Sequence, residues 1–479
     1  MLALLLEKAS NGQWESEVHS FAFDDLYILL DINSGSVHIL DEISWNIVEA
    51  VKKSKGNEEY FKKQVEKYTD ELIKEAIVEL NALIAEGILF GVSVHSMKDI
   101  SNNFDNVIKS LCLNISHDCN LACSYCFAGK GNFGGPKNNM SFEVGKKALD
   151  FLIENSGNRP TCEVDFFGGE PLLNWGTVKK LVEYGKEKAA LKNKRFRFTL
   201  TTNGLLLNPE KEEFLNRENI SVVLSIDGRK EIHDKMRPVT SGVGSYDLIS
   251  PKIKSLVKSR DEQNYYVRGT FTRENMDFTE DVAFLADEGY SEISLEPVVA
   301  DPLEDYAFKE EDRSQLKDEY KKLVKEYLKR KELGKPFNFF HFNVDLENGP
   351  CLPKRITGCG AGFQYLAVTP EGQLYPCHQF VGKEEYLLGD LSRGIVNKEL
   401  VEKFKQAHIY NKECKVCWAR YLCSGGCHAN AVNHNGLIEK PYEMGCFLQK
   451  VRLEAAIYLF VKKKQELSCQ AFLKMSQKN

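Results

Sequence analysis

Apolar and polar positions alternate with two different periods through the middle of the chain. Between Ser110 and Val299, short apolar runs of strand length are followed by longer segments in which apolar residues recur every three or four positions. Strand and helix patterns that alternate in this way predict a parallel α/β sheet. The predicted strands are residues 111–116, 162–167, 196–201, 222–226, 265–272 and 292–297, and helices are predicted at 141–154, 178–190, 211–218, 246–259 and 279–288.

The N-terminal part of the chain has a different pattern. Apolar and polar residues alternate over 18–31 and 37–40 with a turn at 33–36, which predicts a β-hairpin, and helical periodicity follows at 44–53, 60–68 and 69–86. This order is similar to a winged helix-turn-helix. The last helix is net acidic, whereas a DNA-binding winged helix normally carries a basic recognition helix. We therefore expect the hairpin edge to capture a peptide by strand addition; a domain that only packs is the alternative.

Composition and charge narrow the class of protein. The 479 residues are 43% apolar and 28% charged, with a net charge of −6. These values describe a soluble globular protein of roughly three domains, and the negative charge argues against a nucleic-acid surface spread over the whole molecule. The apolar run at residues 1–6 is too short for a signal sequence or a membrane span. We therefore expect a cytoplasmic protein that binds neither membranes nor nucleic acids.

Cysteine usage points to metal chemistry. The chain has 14 cysteines, and a reducing compartment keeps thiols from forming disulfides, so most of them require a metal-site explanation. Cys119, Cys123 and Cys126 form a C-x3-C-x2-C motif just after the first predicted strand. Thiolates at this spacing select iron–sulfur clusters or zinc. The alternative, three small buried residues on one helix face, is disfavoured because more thiol clusters follow downstream.

The C-x3-C-x2-C motif, with an aromatic residue before its last cysteine, resembles the cluster loop of radical S-adenosylmethionine (SAM) enzymes. The resemblance implies a partial (β/α)6 barrel and a [4Fe–4S] cluster whose free iron chelates the amino and carboxylate groups of SAM. An electron from that cluster would release a 5′-deoxyadenosyl radical. Its ligands, and the first candidates for catalysis, would be Cys119, Cys123 and Cys126.

Further polar and glycine-rich motifs follow the predicted strands, where ligands of parallel sheets bind. By the same resemblance, a Gly-Gly-Glu-Pro segment would receive the SAM amino group, aromatic residues would stack near the adenine, and polar or basic residues would bind the ribose or the carboxylate. Turn and helix-cap roles are the alternative for the short polar side chains. The candidate SAM contacts are Tyr125, Phe127, Gly168, Gly169, Glu170, Asn203, Ser225, Arg237 and Arg268.

A second set of seven cysteines follows the predicted barrel in the sequence. Seven cysteines are too many for one tetrahedral zinc site. The spacing Cys359-x12-Gly372-x4-Cys377, followed by C-x2-C-x5-C-x3-C and a later cysteine, resembles the SPASM domain, which holds two auxiliary [4Fe–4S] clusters. The resemblance assigns Cys359, Cys377 and Cys427 to the first auxiliary cluster, and Cys414, Cys417, Cys423 and Cys446 to the second.

The first auxiliary cluster lacks an obvious fourth ligand. Either Cys351 supplies it, or that iron stays open for a thiolate of the substrate, and we favour the open iron. His378 follows Cys377 where sulfatase-maturing members of the family have an acidic residue. We therefore treat His378 as a candidate catalytic residue and expect an activity other than sulfatase maturation.

Taken over the whole chain, the arrangement resembles the radical SAM maturases that form thioethers in six-cysteine (SCIFF) ribosomal peptides. The implied reaction joins a cysteine sulfur to a carbon of another residue, threonine in the preferred case, in a small cysteine-rich precursor with a leader. Flavodoxin or ferredoxin would donate electrons. Alternatives are a sulfatase maturase, an epimerase, a carbon–carbon crosslinker or a zinc-binding scaffold. The expected domains are a winged-helix-like leader-recognition domain (1–92), the radical SAM partial barrel (105–305), a helical bridge (306–350), the SPASM domain (351–450) and a C-terminal helix or tail (451–479).

Overall fold

An 11-stranded sheet runs through most of the structure, a computed structural model in which residues 1–92, 107–347 and 352–476 are described. A separate 3-stranded antiparallel sheet lies near the N-terminus. In chain order the strands are β1 (Val18–Phe23), β2 (Leu26–Asp31), β3 (Val37–Leu40), β4 (Ser110–Ser116), β5 (Thr161–Gly168), β6 (Arg195–Thr202), β7 (Ser221–Ser225), β8 (Tyr265–Phe271), β9 (Glu292–Pro297), β10 (Asn338–Phe339), β11 (Tyr365–Val368), β12 (Gln373–Tyr375), β13 (Gly389–Asp390) and β14 (Gly394–Ile395).

Helices lie between and after these strands along the described chain. They are α1 (Leu2–Ser10), α2 (Gln13–Ser16), α3 (Glu42–Ser54), α4 (Glu58–Val65), α5 (Asp70–Ala85), α6 (Phe142–Asn155), α7 (Trp175–Ala190), α8 (Pro209–Arg217), α9 (Lys230–Met236), α10 (Tyr246–Ser259), α11 (Phe278–Asp287), α12 (Arg313–Glu332), α13 (Leu352–Thr357), α14 (Lys398–Gln406), α15 (Arg420–Cys423), α16 (His428–Asn435) and α17 (Glu443–Ser476). Among the described residues, no helix combines the length and apolar character needed to cross a membrane.

The barrel strands form as the apolar pattern predicts. Strands β4 to β9 lie side by side in sequence order, and each pair is parallel. Every residue of β4 is buried, as expected for a strand covered on both faces. Each of the six predicted strands is present to within one residue at either end. The mixed α/β fold with a partial barrel is therefore confirmed, and the carboxyl ends of its parallel strands share one edge.

The N-terminal hairpin differs from the prediction. Residues 18–31 form two strands rather than one, because the chain turns at Asp24, whose φ is 46°. Aspartate tolerates this left-handed conformation better than most residues. The turn at 33–36 is present, so the sheet has three strands, β1-β2-β3. Helix α1 was not predicted from the sequence.

The charged helix α12, predicted as part of a helical bridge (306–350), packs against the main core. One of its faces is buried, with Leu316, Tyr320 and Leu323 fully inside the main core. The charged residues that dominate its composition occupy mainly the other face, as in an amphipathic helix that packs on a sheet layer. Helix α12 therefore belongs to the body of the protein.

The segment that carries the second set of cysteines continues the barrel sheet. Strand β11 pairs in parallel with β4, and β12, β13 and β14 extend the sheet by antiparallel pairing. Residues around Cys377, which follows β12, are thereby held beside the first barrel strand. The separate domains expected from the sequence thus share one continuous sheet.

Candidate active site

A cavity of about 420 Å³ opens at the carboxyl ends of the barrel strands. Cys119, Cys123 and Cys126 line its wall. Their loop follows β4 and is tied to the end of α9 and the residues after it. Ala122 N donates to Pro238 O (2.8 Å), and Ser124 N donates to Met236 O (2.9 Å). All nine candidate SAM contacts also line this cavity. The fold therefore brings together residues that are spread over about 150 positions of sequence.

Three glycines allow the cysteine loop to approach the end of β5. A Cβ on Gly169 would lie 2.2 Å from Asp118 O, and a Cβ on Gly168 would lie 2.3 Å from Ser116 O. On the other side, a Cβ on Gly131 would lie 2.7 Å from the Cβ of Cys119. Only glycine fits at such close backbone contacts. The glycines of the Gly-Gly-Glu-Pro segment thus set the distance between the cysteine loop and the sheet.

Glu170 lines the cavity, but its side chain is buried. Its side chain has no exposed surface. The carboxylate accepts hydrogen bonds from Thr202 Oγ1 (2.9 Å), Asn203 N (2.8 Å) and Leu172 N (2.9 Å). Burial raises the pKa of Glu170 to about 7, against the effect of these donors. The carboxylate therefore ties the end of β5 to the end of β6, with two hydrogen bonds to Oε1 and one to Oε2.

Arg237 likewise has an internal partner. Its Nε donates to Asp227 Oδ1 (2.9 Å), and its guanidinium lies over the ring of Tyr125, 5.3 Å from the centroid. Tyr125 in turn donates its hydroxyl proton to Asp227 Oδ2 (2.5 Å). Asp227 is fully buried. The sequence predicted Arg237 as a partner of the SAM carboxylate, but its charge is matched by Asp227, and its Nη1 lies 4.0 Å from Cys123 Sγ.

Two of the other candidate contacts remain accessible from the cavity. The side chain of Arg268 is 51% exposed and has a loose ion pair with Glu296, at 3.7 Å. Phe127 is half exposed and packs near Phe167 and His378, with ring centroids 6.4 and 5.5 Å away. Ser225 also lines the wall. Among the candidate basic contacts, Arg268 is therefore better placed than Arg237 to bind an anionic group.

His378, which follows β12, reaches the cavity that Cys119, Cys123 and Cys126 line. We call this cavity the radical cavity. His378 lines it together with Gln379, and its Nδ1 lies 3.0 Å from the hydroxyl of Tyr365. Burial lowers the pKa of His378 to about 4. The imidazole is therefore neutral near pH 7, and one of its ring nitrogens is already hydrogen-bonded.

The cysteines assigned to the second auxiliary cluster share a separate cavity of about 400 Å³, which the loop before α15 and the start of α17 enclose. Burial raises the pKa of Cys414 to about 11 and that of Cys446 to about 12. Such thiols ionise only when a metal or a cation stabilises the thiolate. The four cysteines that line this cavity are Cys414, Cys417, Cys423 and Cys446.

Two of the three cysteines assigned to the first auxiliary cluster are exposed. The thiols of Cys359, Cys377 and Cys427 lie close enough to influence one another electrostatically. Cys377 is buried, whereas Cys359 and Cys427 are exposed, and Cys427 also lines the radical cavity. Cys351 lies outside the described residues, so its role as a fourth ligand stays a prediction.

Sequence reasoning missed a charged cluster beside the radical cavity. Glu296 at the end of β9 lies 3.4 Å from both His341 Nε2 and Arg452 Nη1, and it lines the cavity. Cys427 and Asn430 line this cavity and a smaller one of about 300 Å³ that leads toward Cys446. No short motif marks these residues, because they come from three distant segments.

The local chemistry at the first three cysteines fits an iron–sulfur cluster. Leu121 N donates to Cys119 Sγ (3.5 Å), and Asn203 Nδ2 and Arg237 Nη1 lie 3.7 and 4.0 Å from thiol sulfurs. Donors of this kind stabilise cluster thiolates and tune their potentials. Burial raises the pKa of Cys119 to about 12, so a bound metal is needed to hold it ionised.

Comparison with known proteins agrees with this site. Residues 113–247 match the radical SAM superfamily, and residues 359–418 match the SPASM iron–sulfur cluster-binding domain. The chain is 25% identical over 369 residues to the radical SAM cyclopropyl synthase TigE of Paramaledivibacter caminithermalis, covering 72% of this chain and 71% of that protein. It is 26% identical over 349 residues to a cysteine-type anaerobic sulfatase-maturating enzyme of Clostridium novyi, covering 67% and 89%.

The solved structure of native anSMEcpe with bound AdoMet has the same fold. Its TM-score is 0.61 at 22% identity, and the match covers 74% of this chain and 98% of that one. The chain therefore contains a radical SAM domain joined to a SPASM domain. A radical SAM enzyme of this architecture uses [4Fe–4S] clusters and SAM.

Proposed function

We propose that this enzyme installs a thioether crosslink between a cysteine sulfur and a carbon of another residue, threonine in the preferred case, in a ribosomally made cysteine-rich peptide. One observation supports this reaction above the others. Cys427, a proposed ligand of the first auxiliary cluster, lines the same cavity as the three cysteines of the radical cluster. A peptide sulfur bound at the auxiliary cluster would therefore face the place where a hydrogen atom is removed from carbon.

The proposed reaction balances on the peptide. When bound, SAM and the clusters supply one-electron chemistry, which removes a hydrogen atom and accepts an electron. A C–H bond and an S–H bond break, and a C–S bond forms. The carbon would lose a hydrogen atom, the sulfur would lose a proton, and the one electron left over would need an acceptor. An auxiliary cluster held by Cys359, Cys377 and Cys427 would accept that electron and would favour the deprotonated sulfur, since metal coordination lowers thiol pKa values.

We assign the chain itself the tasks of positioning and enclosure. Asp227, Tyr125 and Arg237 hold the cysteine loop against the end of β7, and Glu170 holds β5 to β6. His378 and Gln379 close the cavity from the SPASM side. An enclosed site excludes water and competing hydrogen donors. Arg268, whose guanidinium is accessible, is the proposed partner of the SAM carboxylate.

The N-terminal sheet is the proposed docking site for the leader of the peptide. Strand β3 pairs with β2 along one edge, and its other edge faces no further strand of the described chain. Ile39 on this strand is 46% exposed. An extended leader that adds to this edge would raise the local concentration of the core peptide to roughly millimolar. A small low-potential carrier such as flavodoxin or ferredoxin would supply electrons in the cytoplasm.

Sulfatase maturation is the second candidate, favoured by the relative from Clostridium novyi that has this activity. TigE is named for a different product, a cyclopropyl group. The relatives thus support modification of a peptide or protein but differ in the bond formed. Sulfatase-maturing members of the family have an acidic residue directly after the cysteine that corresponds to Cys377. This chain has His378 there, and its imidazole is hydrogen-bonded to Tyr365. We therefore prefer thioether formation.

Anaerobic incubation with a synthetic peptide tests this proposal. The peptide contains a leader, cysteines and threonines, and the enzyme is supplied with SAM and a chemical reductant. We expect the product to lose two hydrogens, to release one 5′-deoxyadenosine per crosslink, and to have one cysteine fewer that reacts with iodoacetamide. A carbon–carbon crosslink would lose two hydrogens yet keep every thiol reactive, an epimer would keep its mass, and a sulfatase-type product would contain an aldehyde. Any of these outcomes would replace the thioether proposal.

A further inference from the structure

Lys412 is buried between the two groups of SPASM cysteines. Its side chain is only 4% exposed. The amine donates to Gly425 O (3.1 Å) and lies 3.1 Å from His428 Nδ1. Gly425 precedes Cys427 by two positions, and Lys412 precedes Cys414 by two. The amine is therefore held in place by segments that carry cysteines of both groups.

The hydrogen-bond partners of the Lys412 amine are a backbone carbonyl and an imidazole, those of Gly425 and His428, rather than a carboxylate. Gly425 stands between Cys423 of the second group and Cys427 of the first, two residues from each. A buried ammonium without an anionic partner is strongly unfavourable. An anionic centre bound by the cysteines of the two groups would balance the charge of Lys412.

Two [4Fe–4S] clusters held by the thiolates of the two groups would provide that negative charge. Such clusters are anionic, and each becomes more negative when it is reduced. A nearby cation in a region of low dielectric constant stabilises the reduced form more than the oxidised form. Because Lys412 lies near cysteines of both groups, its charge acts on both clusters.

We propose that Lys412 is the shared counter-ion of the two auxiliary clusters and raises the reduction potential of both. It is a positioning residue that acts through the clusters and does not touch the substrate. Its charge makes each auxiliary cluster a better electron acceptor. The inference holds whichever bond the enzyme forms, because it depends only on the SPASM cysteines and their clusters.

The test compares variants of the full-length holoenzyme, purified anaerobically. Lys412→Met and Lys412→Gln remove the charge, and Gln keeps a donor for Gly425 O. Lys412→Arg keeps the charge. Lys415→Met is the matched control, because Lys415 is next to Cys414 but exposed, so its charge is screened by water. Iron and sulfide are counted, and the potentials are measured by redox titration monitored with electron paramagnetic resonance. A parallel set carries Cys126→Ala, which leaves only the auxiliary signals.

We expect both neutral variants to lower the equilibrium constant for reduction of each auxiliary cluster at least about tenfold, a shift of about 59 mV for one electron. Lys412→Arg and Lys415→Met should keep the native potentials. Neutral variants that lose iron while Lys412→Arg retains it would also support a charge requirement. The proposal is overturned if the neutral variants assemble both clusters with unchanged potentials, if only one cluster shifts, or if Lys412→Arg loses the clusters as well.

Discussion

Gly169→Ala tests whether the contact between the cysteine loop and β5 sets the geometry of the radical site. The backbone of Gly169 does not have a positive φ, so alanine introduces no conformational strain of its own. The new methyl group, however, would lie 2.2 Å from Asp118 O, one residue before Cys119. The substitution therefore acts by steric displacement of the cysteine loop.

The size of the displacement follows from the contact distance. Contacts below 3.0 Å are essentially never made by a real Cβ, so the methyl group and Asp118 O must separate by about 0.8 Å. The obstacle is a backbone carbonyl, which cannot rotate away as a long side chain can. Extra methyl groups in packed sites cost about 1–3 kcal/mol of folding free energy. A displacement of about 1 Å in a catalytic constellation can reduce a rate about 100-fold.

We therefore expect Gly169→Ala to fold, to lose about 1–3 kcal/mol of stability in urea unfolding, and to cleave SAM about 100 times more slowly. The assay measures 5′-deoxyadenosine by chromatography after anaerobic reconstitution. Gly176→Ala is the control, because no atom lies within 4 Å of a Cβ at that helical position. Alanine should leave SAM cleavage unchanged there. A native cleavage rate in Gly169→Ala, with a normal iron count, would refute the reasoning.

Three further predictions concern other parts of the molecule. Cys126→Ala should abolish SAM cleavage yet keep both auxiliary clusters, since the radical cluster loses one of only three ligands; normal production of 5′-deoxyadenosine would contradict the assignment. Ile39→Lys should weaken leader binding, measured by fluorescence anisotropy, whereas Tyr60→Lys, also at an exposed position of the N-terminal domain, should not; equal losses would argue against docking at β3. Arg420→Met removes hydrogen bonds to Ser16 O (2.9 Å) and Asn33 Oδ1 (3.0 Å) and should lower stability by about 1.5–3 kcal/mol, which an unchanged urea midpoint would disprove.

The structure also alters one test that the sequence alone would favour. Deleting the N-terminal domain is an obvious way to examine leader binding. Phe21, Phe23 and Ile28 of its sheet, however, belong to the main hydrophobic core, and Tyr458 on α17 hydrogen-bonds to Asp25. Deletion would expose this apolar surface and destabilise the rest of the protein. A substitution at the exposed Ile39 is therefore the cleaner experiment.

Features with local causes were predictable from the sequence. The strands of the barrel follow from apolar runs of strand length, and the cysteine clusters follow from spacings that only a metal centre explains well. Cys112 and Cys162, which lie in apolar runs outside the cysteine clusters, are buried in strands β4 and β5. The turn at Asp24 was missed because Asp24-Asp25 lacks the glycine or asparagine that marks most two-residue hairpin turns.

The chemical identity of the site was thus present in the sequence, because cluster ligands come from short motifs with characteristic spacing. The choice of partner for each charged residue was decided only by the tertiary structure. Arg237 pairs with Asp227, Glu170 turns inward to Thr202, and Lys412 contacts a carbonyl and an imidazole rather than a carboxylate. These contacts join strand ends and loops from distant segments. The sequence alone does not show which group a charged residue will contact. The pairing of β11 with β4, which holds the segment of His378 beside the radical cavity, likewise exists only in the folded sheet.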